Sequence, residues 1–183
     1  MTAFEPILTA RLELQLLQPA HAEIYQHYLL SNREHLARWE PVRDDGYFEL
    51  EQCVSRLQQS LMQFQSGQSV CLGLMQSGKI IGVCNFSNIV RGPFQACHLG
   101  YAIAHSHQGQ GYMHEALKAG IHHMFFSKNL HRIMANYLPE NLRSAALLQR
   151  LGFEREGYAK SYLKIHGEWR DHVLTALCHP EQI

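Results

Sequence analysis

Apolar and polar residues alternate at the start of the chain and then follow a helical period. Leucines at every second position predict a strand over residues 11–17 with one buried face. A helix is predicted over 19–30, which opens with a proline. A second helix is predicted over 48–65, because its apolar residues recur at steps of three and four until Gly67 ends the pattern.

Three apolar runs follow, with turn residues between them. They cover residues 70–75, 80–90 and 96–103. Ser-Gly at 77–78 and Gly-Pro at 92–93 are typical of hairpins and turns. The three runs are therefore predicted to form an antiparallel meander.

The rest of the chain alternates between helix and strand. The clearest helical stripe lies at 113–125, and it is followed by a predicted strand at 132–138 and a helix at 142–151. Two strands are predicted at 158–165 and 172–177. The order β-α-α-β-β-β-α-β-α-β-β predicts an α+β or mixed α/β fold, with helices packed on a mostly antiparallel sheet.

The composition narrows the class of protein. The 183 residues contain no repeat or linker-like tract, which predicts a single domain over 1–183. Hydrophobic residues make up 46% and charged residues 17% of the chain, as in a globular protein with a sizeable core. The 16 basic and 16 acidic residues cancel, so we expect neither DNA nor a membrane as a direct partner.

The cysteines and the first residues bear on location. Five cysteines without a Cys-x-x-Cys pair are typical of free thiols in a reducing compartment rather than of disulfides or a zinc site. The first ten residues lack the basic flank and apolar run of a secretory signal. These features predict a cytoplasmic protein.

Two patterns suggest sites that the surrounding sequence does not support. Residues 73–79 nearly spell a phosphate-binding P-loop, but Ile80 replaces the required Ser or Thr and a strand follows instead of a helix, which favours a hairpin turn. His105, His107 and His114 form the densest group of histidines, without a carboxylate or cysteine at ligand spacing. We therefore predict no metal.

A glycine-rich segment, called here the glycine loop, lies between a predicted strand and the clearest helix. It consists of Gln108, Gly109, Gln110, Gly111, Tyr112 and Met113. The first N–H groups of a helix lack partners, the helix dipole is positive there, and glycines let a phosphate approach the backbone closely. The loop therefore predicts a pyrophosphate site, with an ordinary strand-to-helix turn as the alternative. A Rossmann site is excluded by the missing third glycine and the antiparallel sheet.

Two further patterns accompany the loop. They are Asn141-x-x-Ser144 and the Leu-x-x-Leu-Gly-Phe sequence at 148–153. Together with Gln-x-x-Gly at the head of a helix, they resemble the GNAT superfamily of acetyl-coenzyme A N-acetyltransferases. The resemblance implies the GNAT fold, a mostly antiparallel central sheet that is splayed at the cofactor cleft and has helices on both faces.

Longer segments narrow the resemblance to one branch. Residues 32–41, 131–137, 151–160 and 167–172 are similar to the ribosomal-protein N-terminal acetyltransferases of the RimJ/RimL kind. This resemblance implies acetyl transfer from acetyl-coenzyme A to the α-amine of an N-terminal alanine of a small-subunit ribosomal protein, with association with the ribosome as a further option. The alternatives are an acetyltransferase for aminoglycosides, polyamines or amino acids, and a non-catalytic protein that binds coenzyme A or the ribosome.

The resemblance also implies binding roles. Backbone groups of one strand would hold the pantetheine arm, those of Leu99, Tyr101, Ala102 and Ile103. The glycine loop would hold the pyrophosphate, and Asn141 would contact the cofactor arm. Met113 stands where the family usually has Gly or Ala, which would keep the pyrophosphate slightly further from the backbone. The acceptor would contact Trp39, Glu40 and Trp169, although without the resemblance both tryptophans are simply core or rim aromatics.

Two residues are candidates for proton transfer. Ser144 matches a serine that lies near the sulfur in these relatives, where it would hydrogen-bond or protonate the thiolate; the alternative is a helix-start cap. His98 stands where many members carry a glutamate, and a histidine with a pKa of about 6.5 can accept the amine proton directly or through water. Its alternative is a packed, half-polar residue. The family's acidic tyrosine is replaced by Leu148, so that role is vacant.

Overall fold

The computed structural model describes residues 4–181, in which eight strands form one sheet and four α-helices flank it. The strands are β1 (Ile7–Leu8), β2 (Glu13–Leu16), β3 (Val70–Gln76), β4 (Lys79–Val90), β5 (Ala96–Ile103), β6 (Arg132–Met134), β7 (Glu154–Ile165) and β8 (Glu168–Cys178). The helices are α1 (Ala22–Ala37), α2 (Leu50–Gln65), α3 (Tyr112–His122) and α4 (Leu142–Arg150).

The sheet has the strand order β1-β2-β3-β4-β5-β6-β8-β7. Its strand pairs are antiparallel except for β5 and β6, which run parallel. The mostly antiparallel sheet expected from the sequence is thus confirmed. The one parallel pair follows from the connection through α3, since parallel neighbours need a crossover.

Apolar side chains pack on both faces of the sheet, so the prediction of helices on both faces is also confirmed. One core lies beneath α3 and α4 and includes Phe86, Leu117 and Leu148. The other lies beneath α1 and α2 and includes Leu36 and Leu57. Within the described residues, no helix combines the length and apolar character needed to cross a membrane.

Four of the five cysteines belong to these interiors. Cys53, Cys84 and Cys97 are buried and Cys71 is half-buried, all as free thiols. Burial raises the pKa of Cys71 to about 11 and that of Cys97 to about 12. A thiol with such a pKa stays protonated and unreactive at neutral pH.

Several element boundaries differ from those expected from the sequence. The first predicted helix ended at residue 30, whereas α1 continues to Ala37, because its last turns carry polar side chains such as Asn32, whose amide donates to the Tyr28 carbonyl oxygen at 2.8 Å. The pairing of β7 begins at Glu154, four residues earlier than predicted. The helix predicted at 113–125 changes from α to π geometry after His122.

The predicted strand at 132–138 is wrong in length, and its early end opens the sheet. β6 pairs with β5 only between Arg132–Met134 and Ala96–His98. Beyond His98, β5 continues along β4 to Ile103, and no strand among residues 4–181 pairs with its other side. The two strands therefore separate, which confirms the splayed sheet that the resemblance implied.

Candidate functional site

The unpaired half of β5 forms one wall of the opening, called here the cleft. In an antiparallel pair of strands, every second residue directs its backbone N–H and carbonyl toward the neighbouring strand. The Ala104 N–H donates to the Ile81 carbonyl oxygen at 2.8 Å, which shows which residues of β5 bond to β4. By that alternation, the backbone groups that face the cleft are those of Leu99, Tyr101 and Ile103. The backbone of Ala102 instead faces β4, opposite Val83. Three of the four strand residues predicted to hold a pantetheine arm thus direct backbone donors and acceptors into the cleft.

The glycine loop lies at the open end of the cleft. Gly109 and Gly111 have φ angles of 73° and 81°, in the left-handed region that favours glycine, and Gly111 is the N-cap of α3. The first helical bond is donated by Glu115 N–H to the Gly111 carbonyl oxygen at 3.1 Å. Within residues 4–181, the N–H groups of 109–113 donate to no protein acceptor. The loop therefore presents free donors at the positive end of a helix.

The Met113 side chain does not cover the free N–H groups of the glycine loop. It is only 7% exposed and packs in the core beneath α3 and α4. A β-carbon built on Gly109 meets nothing within 4 Å, so the loop is open at that point. The Met113 side chain is thus directed into the core rather than over the free amides of the loop.

Arg11 braces the glycine loop from the opposite end of the sequence. Its Nη1 donates to the Gln110 carbonyl oxygen at 2.9 Å, and its Nε donates to Glu115 at 2.7 Å. The guanidinium also lies 4.3 Å from the centre of the Tyr112 ring. Burial would raise the pKa of Glu115, but hydrogen bonds from Thr9 and Arg11 outweigh it and hold that pKa below its usual value. No sequence pattern indicates this role, because Arg11 lies on a turn about a hundred residues before the loop.

A second set of contacts ties the loop to the helices on either side of the cleft. The Gln108 side-chain nitrogen lies 3.0 Å from His35 Nε2 on α1, and Arg143 on α4 donates to the Gln108 side-chain oxygen. Burial and then the charge of His105 lower the pKa of His35, so its ring is neutral and accepts the amide hydrogen of Gln108. Arg143 thus adds a second cation, besides Arg11, near the free amides of the loop.

Ser144 and Asn141 have separate tasks at the start of α4. The Asn141 side-chain oxygen accepts the Ser144 N–H at 3.1 Å and caps the helix. The Ser144 hydroxyl instead lies 2.5 Å from the Tyr101 hydroxyl on β5. The alternative that the Ser144 side chain is a helix cap is therefore wrong. Leu148, one turn further on, is 1% exposed and apolar, so it offers no proton.

His98 lies on the other face of the sheet. Its neighbours Cys97 and Leu99 belong to the core beneath α3 and α4, so the two-residue alternation directs the imidazole toward the side of α1 and α2. The buried Nδ1 has no hydrogen-bond partner within residues 4–181. Burial lowers the pKa of His98, which leaves the ring neutral at pH 7 and able to take up a proton.

The residues predicted to contact the acceptor lie where two distant segments meet. The His166 N–H, in the turn between β7 and β8, donates to the Glu40 carbonyl oxygen at 2.9 Å, just beyond the end of α1. Trp39 packs beneath the Arg38 guanidinium at 4.7 Å. Trp169 follows the β7–β8 turn and is 64% exposed. Residues 38–44 and this turn, called here the acceptor mouth, are thus brought together by the fold.

A half-buried carboxyl, Glu40, and a buried tyrosine, Tyr28, lie near the acceptor mouth. Burial raises the pKa of the Glu40 carboxyl, although the charge of Arg43 acts in the opposite sense. Burial and then the charge of Glu40 raise the pKa of Tyr28. The Tyr28 hydroxyl is buried without a hydrogen-bond partner among the described residues. No sequence pattern distinguishes Tyr28 from an ordinary core aromatic, because it belongs to the apolar stripe of a helix.

Two sequence features that suggested other sites prove to be structural. Residues 73–79 form the end of β3, a tight turn through Ser77 and Gly78, and the start of β4, so the predicted hairpin is confirmed. No group of three or more His, Cys, Asp or Glu side chains in the part of the chain that is described is arranged to hold a metal ion.

Comparisons with known proteins agree with this geometry. Residues 11–154 match the profile of the acetyltransferase (GNAT) domain. The chain is 48% identical over 96% of its length to the [ribosomal protein uS5]-alanine N-acetyltransferase of Escherichia coli K12, of which the match covers 91%.

Solved structures give the same result. The ribosomal-protein-S5-alanine acetyltransferase of Vibrio fischeri superposes with a TM-score of 0.94 at 37% identity, covering 98% of this chain and 100% of that one. Mycobacterium smegmatis RimJ in complex with CoA-disulfide superposes with a TM-score of 0.92 at 28% identity, covering 97% and 89% of the two chains.

Proposed function

The chain belongs to the GNAT family of acetyltransferases, and we propose that it transfers an acetyl group from acetyl-coenzyme A to the α-amine of an N-terminal alanine of a small-subunit ribosomal protein. The observation that carries the proposal is the glycine loop, whose free amides stand at the open end of the splayed strands. The acceptor is supported by the similarity to alanine N-acetyltransferases of ribosomal protein S5 in two species.

The residues around the cleft fit coenzyme A along its length. The amides of 109–113 and the guanidinium of Arg143 suit the diphosphate, since helix N-termini and arginines both bind such anions. The backbone of β5 from Leu99 to Ile103 offers the pantetheine amides a partial strand. The Asn141 amide nitrogen remains as a donor, because only its oxygen caps α4. When bound, the cosubstrate supplies an activated acetyl thioester.

Proton transfer is assigned to Ser144 on α4 and His98 on β5, whose side chains lie on opposite sides of the sheet. Ser144 donates a hydrogen bond to the sulfur as negative charge develops on it, because its hydroxyl is free of the helix cap. His98 accepts the proton of the attacking amine, directly or through water, because its buried ring is neutral. Backbone N–H groups of β5 that face the cleft stabilise negative charge on the acetyl oxygen.

His98 is a weak base, which favours an α-amine over a lysine side chain as the acceptor. Deprotonating an α-amine at pH 7 costs about 1.2 kcal/mol, whereas a lysine costs about 4.6 kcal/mol. A single half-buried histidine with a lowered pKa is sufficient for the first and weak for the second. The structure therefore fits a chain terminus better than a lysine side chain.

The acceptor mouth orients the incoming peptide. Glu40 attracts the ammonium form of the terminus, while Trp39 and the exposed Trp169 contact the following residues. We place the reaction in the cytoplasm, where ribosomal proteins are made. Association with the ribosome beyond the acceptor terminus is a further part of the proposal and would use the exposed turn between β7 and β8.

A substrate panel tests the proposal. The protein is incubated with acetyl-coenzyme A and one of three acceptors: a peptide with the alanine N-terminus of a small-subunit ribosomal protein, the same peptide with a blocked terminus and an internal lysine, or an aminoglycoside. Mass spectrometry is expected to show acetylation of the first peptide only. Acetylation confined to the aminoglycoside would contradict the proposal, and tight coenzyme A binding without any transfer would indicate a non-catalytic sensor.

A further inference from the structure

Two hydroxyl groups meet across the cleft. Tyr101 comes from the unpaired half of β5 and Ser144 from the first turn of α4, and their oxygens lie 2.5 Å apart. Both side chains are half-buried, so neither hydroxyl is free in solvent. The contact joins the two walls at the level where β5 and β6 have already separated.

Either hydroxyl can donate across this contact, and the surroundings leave Tyr101 able to do so. Asn141 takes the Ser144 backbone N–H, so no local capping bond holds the serine hydroxyl. Burial raises the pKa of Tyr101 to about 12, and the hydrogen bond with Ser144 acts in the opposite sense. The phenol therefore stays protonated at neutral pH and remains a donor. If Tyr101 donates to the Ser144 oxygen, the serine hydrogen is left to point elsewhere.

We propose that Tyr101 is a positioning residue that donates its hydroxyl hydrogen to Ser144 Oγ and thereby directs the serine hydrogen to the sulfur of coenzyme A. The inference rests on the proposed function, since coenzyme A must occupy the cleft. As the new C–N bond forms, the C–S bond breaks and its electron pair stays on the sulfur, which accepts the Ser144 hydrogen bond. The amine proton leaves through His98 or water, and Tyr101 keeps its own proton.

The chemistry supports positioning rather than proton donation by Tyr101. A thiol has a pKa of about 8.5, well below the pKa of about 12 of this phenol, so proton transfer from the phenol to the thiolate is unfavourable. A chain of two hydroxyls instead strengthens each hydrogen bond in it. Tyr101 therefore acts on the sulfur only through Ser144.

The test replaces Tyr101 by Phe and measures two quantities. The kcat of Tyr101→Phe is expected to fall about ten-fold, as for one hydrogen bond to a charged group, while the KM for acetyl-coenzyme A changes less than about two-fold. Independently of turnover, the pKa of the coenzyme A thiol bound to the protein, followed by ultraviolet absorbance of the thiolate, is expected to rise. Tyr158→Phe is the matched control, since that hydroxyl donates to Asp171 on the exposed β7–β8 hairpin.

A double mutant separates positioning from a general loss of structure. In a Ser144→Ala background, Tyr101→Phe is expected to cause no further fall in kcat, because the path to the sulfur is already broken. A 3-fluorotyrosine at position 101 keeps the hydroxyl, strengthens it as a donor and is expected to lower the bound thiol pKa; it serves if the phenylalanine variant does not fold.

An unchanged or increased kcat and an unchanged bound thiol pKa in Tyr101→Phe would overturn the inference, because they would show that Ser144 donates to Tyr101. That result would leave the proposed function intact. By contrast, a wild-type protein that does not bind coenzyme A would overturn the proposed function itself.

Discussion

The glycine loop and the acceptor mouth are built in different ways. The loop is one contiguous segment, and its donors are backbone N–H groups fixed by the start of α3. The acceptor mouth combines residues 38–44 with the β7–β8 turn, more than a hundred residues later, and side chains carry its chemistry. Backbone donors tolerate most side-chain changes but not a change of conformation. The two regions should therefore fail under different substitutions.

The largest effect is expected from backbone strain in the loop. Gly109 and Gly92 both have a φ of 73°, and a β-carbon built on either meets nothing within 4 Å. Alanine at either position should cost about 1–2 kcal/mol of unfolding free energy. Only Gly109→Ala should also weaken coenzyme A binding, by up to about 30-fold, because any part of this strain that the free loop avoids by relaxing must be supplied on binding. Calorimetry checks this, and equal affinities of the two variants would place the diphosphate elsewhere.

The next effect separates the two residues at the start of α4. Ser144→Ala is expected to lower kcat about ten-fold without raising the KM for acetyl-coenzyme A comparably, because only a bond to the sulfur is lost. Its melting temperature should change little beyond the loss of the Tyr101 contact, since Asn141 is the cap. Asn141→Ala should instead cost about 1 kcal/mol of stability. Loss of stability with full kcat in Ser144→Ala would restore the capping role.

A smaller effect is expected from replacing Arg11, which braces the glycine loop. Arg11→Met should raise the Kd for coenzyme A about five-fold and reduce its salt dependence, because a cation beside the helix N-terminus is lost. Arg33→Met is the matched control. The Arg33 side chain is 44% exposed, against 43% for Arg11, and it also pairs with a carboxylate, that of Asp45, but it lies away from the loop. Equal binding by both variants would exclude a role for Arg11.

The smallest effect is expected at the acceptor mouth. Burial raises the pKa of Glu40, so its carboxyl ionises at a higher pH than an exposed glutamate, and the acceptor KM should fall as pH rises through that raised pKa. Glu40→Gln should remove that dependence and raise the acceptor KM about three-fold near neutrality, with unchanged cofactor affinity.

Stability provides the control for Glu40. A carboxyl whose pKa is raised by folding contributes stability at low pH that is lost as pH rises through the folded pKa. Glu40→Gln should therefore be no less stable than the wild type near neutrality. Glu51→Gln, on the exposed side of α2, should change neither the acceptor KM nor the stability. A pH-independent acceptor KM in the wild-type protein would remove Glu40 from the site.

The same contrast explains what the sequence could predict. The glycine loop was predictable because its strand, glycines and helix are adjacent in the chain. The brace by Arg11 was not, since no pattern links a residue of an early turn to a carbonyl oxygen about a hundred positions later. The partnership of Tyr101 and Ser144 was missed for the same reason, although each was predicted to lie at the site.

The error at β6 has a different cause. Apolar periodicity reports burial, and Ala135 and Leu138 are buried at 1% and 4% exposure although the strand ends at Met134. The pattern therefore continues after the pairing stops. The opening of the cleft was expected from the family resemblance, and no hydrophobic pattern marked it.

Titration calorimetry of the folded protein with coenzyme A and with acetyl-coenzyme A tests the central claim most directly. We predict saturable binding of one molecule of either ligand per chain, strongly weakened in Gly109→Ala and retained in Gly92→Ala. The absence of heat with both ligands, or equal binding by the two glycine variants, would contradict the assignment of the cofactor site to residues 108–113.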